Sequence, residues 1–252
     1  MGTTREGHNV AIRIMSVRDE GKEQLQILRR IARGDLSLCT ENHVAPLWDE
    51  VEIGYFRFAI TPFIGHKMSY CYGAWAKNSV GDIVDMIIQA LEALKFLHQE
   101  GIAHRDAEKD NFMVQWHPES LAAMQVPTCR PRVFIIDFET AHEFPLDTPE
   151  EERRLTGPPW DDYLRDLAPE IALGPYDPFK VDVWQLAHSL SDFKSSVAEI
   201  DAVLETLRVG DPACRPTAAE ARDQLAAVVH GLPPVSLLIR PVILNTEYSC
   251  DD

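Results

Sequence analysis

The chain has 252 residues, 45% of them hydrophobic and 25% charged, the composition of an ordinary globular protein. Its 24 basic and 40 acidic side chains leave a net charge of −16, which argues against nucleic acid or an anionic membrane as the main partner. The five cysteines are scattered and form no CxxC pair, and no apolar run approaches membrane-spanning length. These features lead us to expect a reduced, intracellular, cytoplasmic chain, with no feature that separates cytoplasm from nucleus.

Residues 1–8 are polar and predict a loose start. The stretch NVAIRIMSV, from Asn9, is rich in β-branched residues and predicts a strand. DEGKEQLQILRRIARG predicts an amphipathic helix with an acidic start, a basic end and a closing glycine, Gly34. HVAPLWDEV and YFRFAITPF predict two more strands, so the first 65 residues read as a small sheet with one helix. From Ser79, a plausible N-cap, apolar residues recur at helical spacing up to a stop at Gly101. A polar loop, GIAHRDAEKDN, follows, then a short strand in FMVQW, an inserted loop over residues 116–131 and a buried strand in RVFIID. Residues 138–167 show no periodicity; a loop that long inside a domain is usually functional or mobile. KVDVWQLAHSLSDF, SSVAEIDAVLETLRVG and TAAEARDQLAAVVHGL predict three closing helices.

The chemistry concentrates in the polar loop. His104, Arg105, Asp106 and Asn111 fit the pattern HRDxxxxN. Phosphoryl transfer needs a carboxylate to accept the attacking hydroxyl's proton, and an amide oxygen plus a second carboxylate to hold magnesium. Asp106 suits the first role, Asn111 the second, and Asp137, ending its buried strand, the third. Two carboxylates and an amide converging on one cleft repel unless a cation joins them. Downstream lie Ala168-Pro169-Glu170, Asp182 at a helix start, and Arg215. With these motifs in this order, roughly residues 9–230 resemble the eukaryotic protein kinase family, and IIDFETAHEF and YDPFKVDVWQLAHSLSDF resemble a divergent fungal branch of it. The resemblance implies an α+β, bilobal, protein-kinase-like fold. Its parts would be a reduced, β-rich N-lobe over 1–66, a mainly helical C-lobe over 67–232 and a tail over 233–252. It also implies that Glu170 pairs with Arg215 and that Asp182 braces the loop backbone, and a packed core histidine is the expectation for His104.

The first half departs from that family. Only Gly2 and Gly7 precede the strand at Asn9, too little chain for a glycine-rich phosphate lid on two strands. The family's VAIK reads VAIR, placing Arg13, a planar fork, where a compact lysine is usual. The helical glutamate that holds that lysine aligns with Gln24, with Glu23 one position away. A neutral amide gives Arg13 no ion pair, and a charge-assisted bond carries roughly 1.5–3 kcal/mol. Glu139 replaces the glycine of the family's DFG, making DFE, and Glu108 replaces a basic residue, with Lys109 beside it.

The expected function is therefore a pseudokinase acting by binding or regulation, with Mg2+ and ATP bound weakly or not at all and any nucleotide contacts made by Arg13 and Gln24. An active atypical Ser/Thr kinase using Mg-ATP is the alternative. A small-molecule kinase is the third reading, opposed by the APE segment and Arg215. A protein partner is expected, and the open sheet edge near Ala11 offers a route to self-association.

Overall fold

The computed structural model describes residues 1–18, 20–71, 78–115 and 131–244; most of the expected inserted loop and the end of the tail lie outside the described residues. The chain opens with β1 (Gly2–Thr3) and β2 (Asn9–Val17), followed by α1 (Lys22–Ile31), β3 (Asp49–Ile53) and β4 (Phe56–Pro62). These strands form one antiparallel sheet in the order β1-β2-β4-β3.

Residues 1–8 are not loose. Gly2 pairs with Val10 and Thr3 with Asn9. Thr4 N–H donates to the His8 carbonyl at 2.8 Å and Gly7 N–H to the Thr4 carbonyl at 3.0 Å, closing a tight turn. The first residues of β2 offer unpaired backbone groups, and even a two-residue strand satisfies some of them. β1 covers only Asn9 and Val10; among the described residues the rest of that edge of β2 has no strand partner apart from a bridge between Val17 and Glu20.

The strand expected over 43–51 begins only at Asp49. Residues 43–48 turn inward instead, burying His43, Val44, Ala45 and Leu47. His43 is fixed there by Val133 O at 2.8 Å and Glu92 at 3.1 Å. Pro46 also lacks the N–H a ladder needs.

β5 (His66–Lys67) and α2 (Met68–Cys71) lead to α3 (Val80–Gln99). Ser79 caps α3 through a reciprocal box with Asp82, and Gly101 ends the turn beyond it at φ 74°. A Cβ at Gly101 would sit 2.6 Å from the Phe144 carbonyl, so the position requires glycine. β6 (Ile102–Ala103), β7 (Phe112–Gln115), β8 (Arg132–Ile135) and β9 (His142–Glu143) are short; β6 pairs with β9, and β7 lies between β5 and β8. The remaining elements are α4 (Pro178–Ser189), β10 (Phe193–Lys194), α5 (Ala198–Thr206), α6 (Ala218–Gly231) and β11 (Val242–Ile243).

α3 is the axis of the core. Ile83, Met86, Ile87, Leu91, Leu94 and Leu97 are all fully buried, and the helix packs against α4, α6, β6 and β8. Each such side chain contributes about 1.5–3 kcal/mol by leaving water. This mixed α/β architecture with its antiparallel sheet is compatible with a kinase-like fold. Among the described residues no helix is long and apolar enough to cross a membrane.

Candidate functional site

α4 carries a polar stripe. Asp182, Gln185 and Ser189 recur at i, i+3 and i+7 and so share one face. Each takes a backbone amide from the loop after β6. Asp182 accepts from His104 N–H at 2.8 Å and Arg105 N–H at 2.7 Å, Gln185 from Ala107 N–H at 3.1 Å, and Ser189 from Lys109 N–H at 2.9 Å. Asp182 is fully buried and also meets His98 Nε2 at 2.9 Å, so its carboxylate has partners in place of water. Two successive amides drawn to one carboxylate accompany the left-handed backbone of Arg105, φ 65°. His104 is fully buried, with Nε2 2.9 Å from Ile136 O and its ring edge-on to Phe138. A second brace lies farther along the chain. Glu170 and Arg215 form a buried ion pair at 2.6 Å, and the guanidinium also donates to Lys180 O and Val209 O. The pairing and bracing implied by the kinase resemblance are both present.

The loop places Asp106 almost out of solvent, 7% exposed. Asn111 Nδ2 donates to Asp106 Oδ2 and to its backbone carbonyl, each at 2.7 Å. Asp106 Oδ1 accepts from the Tyr163 hydroxyl at 2.6 Å and lies 3.1 Å from Arg165 Nε. Gln185 Nε2 donates to the same tyrosine oxygen at 3.0 Å. Burial and the Asp106 carboxylate hold the Tyr163 hydroxyl far above its usual range, which keeps it a donor. Glu108 lies 3.7 Å from Arg165. Burial pushes Glu108 up to about 7 against the pull of Arg165, with the neighbouring Asp106 charge adding to the rise. Lys109 is paired with Asp192 at 2.6 Å and pulls Glu108 down only as the last and smallest of its influences.

Asp137 follows β8 in a left-handed conformation, φ 71°, which a short polar side chain tolerates better than most. It stands at one end of a cleft of about 190 Å3 lined by Ala11, Arg13 and Met15 of β2, Ala59 and Thr61 of β4, Met113 of β7 and Ile135 of β8. Arg13 crosses this end. Its Nη2 lies 2.5 Å from Asp137 Oδ1 and 2.7 Å from Glu139 Oε1. Burial works against the guanidinium charge, but the Asp137 and Glu139 carboxylates outweigh it and hold Arg13 above its ordinary value.

The structure thus brings Asp106 together with Asn111, and Arg13 together with Asp137. It does not bring Gln24 to either group. Gln24 is nearly buried, and its Nε2 donates to Met15 O at 2.6 Å, at the bulge where β2 leaves register with β4. Gly21, at φ 78°, makes room for this contact, since a Cβ there would lie 2.3 Å from Met15 O. Glu23 lines a separate groove with Gln26, His142 and Glu143. Sequence reasoning missed Gln185, Tyr163 and Arg165. The polar stripe on α4 could have revealed Gln185; nothing in the aperiodic 138–167 stretch marks the other two.

Asn111 and Asp137 are oxygen donors of the kind magnesium takes, but in this arrangement a guanidinium already occupies an Asp137 oxygen, and a divalent cation there would be repelled. Among the described residues of the cleft lining the one cation, Arg13, is likewise committed to two carboxylates rather than held out for phosphate. The residues as placed do not fit Mg-ATP. Among the described residues no three His, Cys, Asp or Glu side chains cluster as metal ligands.

No protein-family model matches the chain. Among curated proteins it is similar to serine/threonine-protein kinase ppk8 of Schizosaccharomyces pombe, 37% identical over 103 residues, which cover 40% of this chain and 17% of that protein. It is also similar to sperm motility kinase Z of Mus musculus, 33% identical over 102 residues, covering 40% and 16%. The chain spans about a sixth of the length of the curated relatives it matches. Both relatives are named as kinases, and the matches support a kinase-like relationship.

Proposed function

We propose that this chain is a divergent, two-lobed protein-kinase-like domain that acts through binding and regulation, with impaired Mg-ATP binding and weak or absent phosphotransfer. One observation carries the reading. The cation that should meet triphosphate and the carboxylate that should meet magnesium are bonded to each other, Arg13 to Asp137 at 2.5 Å. Nucleotide would have to break that pair and a second one to Glu139 before gaining either contact. Gln24 is not bonded to Arg13: its Nε2 is held by Met15 O, and its Oε1 is buried without a hydrogen-bond partner among the described residues.

Thermal unfolding with and without millimolar Mg-ATP tests this. A ligand at a hundred times its dissociation constant stabilises by about 2.7 kcal/mol, so tight binding would be plain. The expected result is a negligible shift, and a shift of several degrees would overturn the reading. An active Ser/Thr kinase is the second reading, favoured by the Asp106–Asn111 bond and the braced loop around it. On that reading Asp106→Asn abolishes all transfer, whereas equal turnover by both proteins assigns the activity to a contaminant.

The binding role is supported by the open edge of β2. Its backbone lacks a strand partner beyond Val10 among the described residues, and Ile12 and Ile14, 50% and 48% exposed, flank it. A protein partner that adds a strand here would gain backbone bonds and cover both isoleucines. Light scattering and amide exchange along residues 11–16 test the point. A monomer with rapid exchange along this strand would count against the proposal, and a dimer would identify the partner as a second copy.

A further inference from the structure

The strand β3 reads DEVEI, with charged and apolar residues in alternation. A strand between a core and water turns its apolar set inward. β3 does the reverse. Glu50 turns to the side of α1, where Arg29 holds it at 2.6 Å and Arg33 at 3.2 Å, and its side chain is only 16% exposed. Glu52, two residues on, pairs with Arg57 at 3.3 Å. Val51 and Ile53 turn to the opposite side and are 38% and 62% exposed.

The register carries this outward set across the sheet, because residues directly opposite in neighbouring strands share a face. Val51 lies opposite Phe58, Phe58 opposite Ile14, and Ile60 opposite Ile12. Asp49, also opposite Ile60, places one carboxylate at the end of the face. The inner face, with Ala11, Arg13 and Ala59, looks across the cleft at β7 and β8, so the outer face looks away from them. Among the described residues no helix packs on the outer face, and its isoleucines stay half-exposed. A continuous apolar face of this kind marks a contact surface.

Charge selects the occupant. Residues 1–66 hold eight basic and nine acidic side chains, a net of −1, so residues 67–252 carry the other −15 of the chain's −16. Two copies meeting through the later residues would set −15 against −15. Two copies meeting through the outer sheet face would join their nearly neutral parts. A strongly charged partner would find little complement there.

We propose that two copies of this chain pack outer sheet face against outer sheet face, as two layers about 10 Å apart related by a twofold axis. Ile12, Ile14, Val51 and Ile53 are the side chains that such packing takes out of water. The proposal adds a second surface to the binding role, needs no strand added at the β2 edge, and does not rest on the kinase-like reading. The face spans three strands, so the interface buries less than about 1,200 Å2 in total, the range of weak, reversible complexes.

Sedimentation velocity on the full chain tests this over a concentration range around the micromolar affinity expected of such an interface. A reversible dimer is expected, and a monomer throughout the range overturns the proposal. Ile53→Glu places a carboxylate in the apolar contact, on the strand farthest from the open edge of β2. It should raise the dimer Kd at least about ten-fold. A dimer that Ile53→Glu leaves unchanged overturns the proposal and points to the β2 edge instead. Should that variant lose its cooperative melting, Ile53→Thr keeps the β-branch and asks the same question; it should weaken the dimer at least about three-fold, and no weakening overturns the proposal. Salt gives a further check. Added sodium chloride screens the repulsion between the two acidic parts and should tighten the dimer, whereas a dimer that salt weakens is held by charges this face lacks and sinks the idea. None of these outcomes touches Mg-ATP binding, so the proposal and the low-activity reading fail separately.

Discussion

The α4 side of the site and the β2 side are held by opposite means. Asp182 and the Glu170–Arg215 pair are buried, and each is satisfied by several partners fixed on different elements. Arg13 is 38% exposed along its side chain, and Glu139 is 45% exposed, so water competes for both. A buried charge has no cheap alternative partner, whereas a half-exposed arginine can trade one carboxylate for another at little cost. The comparison explains why the helical side keeps the arrangement its motifs imply while the sheet side is rewired.

The sharpest break should come from Arg215→Met. It strands Glu170 in the interior and is expected to cost about 3–5 kcal/mol in urea unfolding. A loss below about 1 kcal/mol would mean that the helical side is not the rigid partner in the comparison.

Glu108 gives the next effect, and its sign follows from linkage. Its pKa in the folded chain is raised from 4.5 to about 7, so the folded state holds the proton more tightly than the unfolded one. Its contribution is fully present below pH 4.5 and is lost as pH rises toward 7 and beyond. The loss totals about 3 kcal/mol. Glu108→Gln should therefore be more stable than wild type at pH 8, by up to that amount, with the difference closing near pH 4. Asp106 raises this carboxyl, while Arg165, His188 and Lys109 lower it. A difference that does not change with pH would assign the effect to packing.

On the sheet side, Gly21→Ala should cost about 2 kcal/mol, through a Cβ driven against Met15 O at a left-handed backbone position. Loss of the Gln24–Met15 contact should appear as faster amide exchange at the start of α1. Arg13→Gln should change stability least, by under about 1 kcal/mol, because both its ion pairs are partly in water. A larger cost would erase the contrast between the two sides.

Much of the fold was legible in the sequence because its elements announce themselves locally. The apolar spacing from Ser79 to Gly101 carries its own cap and stop, and both appear where expected. The strand at Asn9 and the three closing helices follow in the same way. The hairpin at residues 1–8 was not legible, since a two-residue strand has no periodicity to read. The inward turn at 43–48 was missed because a short run of buried apolar residues looks alike in a strand and in a packed loop.

By itself, the sequence determined the order of elements, the apolar axis of α3 and the spacing that gathers Asp106 and Asn111 into one loop. Those features depend on neighbours a few residues apart, where backbone geometry leaves little choice. The tertiary structure alone decided that Arg13 meets Asp137 rather than Gln24, and that Tyr163 and Arg165 reach Asp106. Arg13 and Asp137 are 124 positions apart, and Tyr163 and Asp106 are 57 apart. Across such distances many carboxylates are chemically equivalent to a guanidinium or a hydroxyl, and only the packing of the elements that carry them selects one.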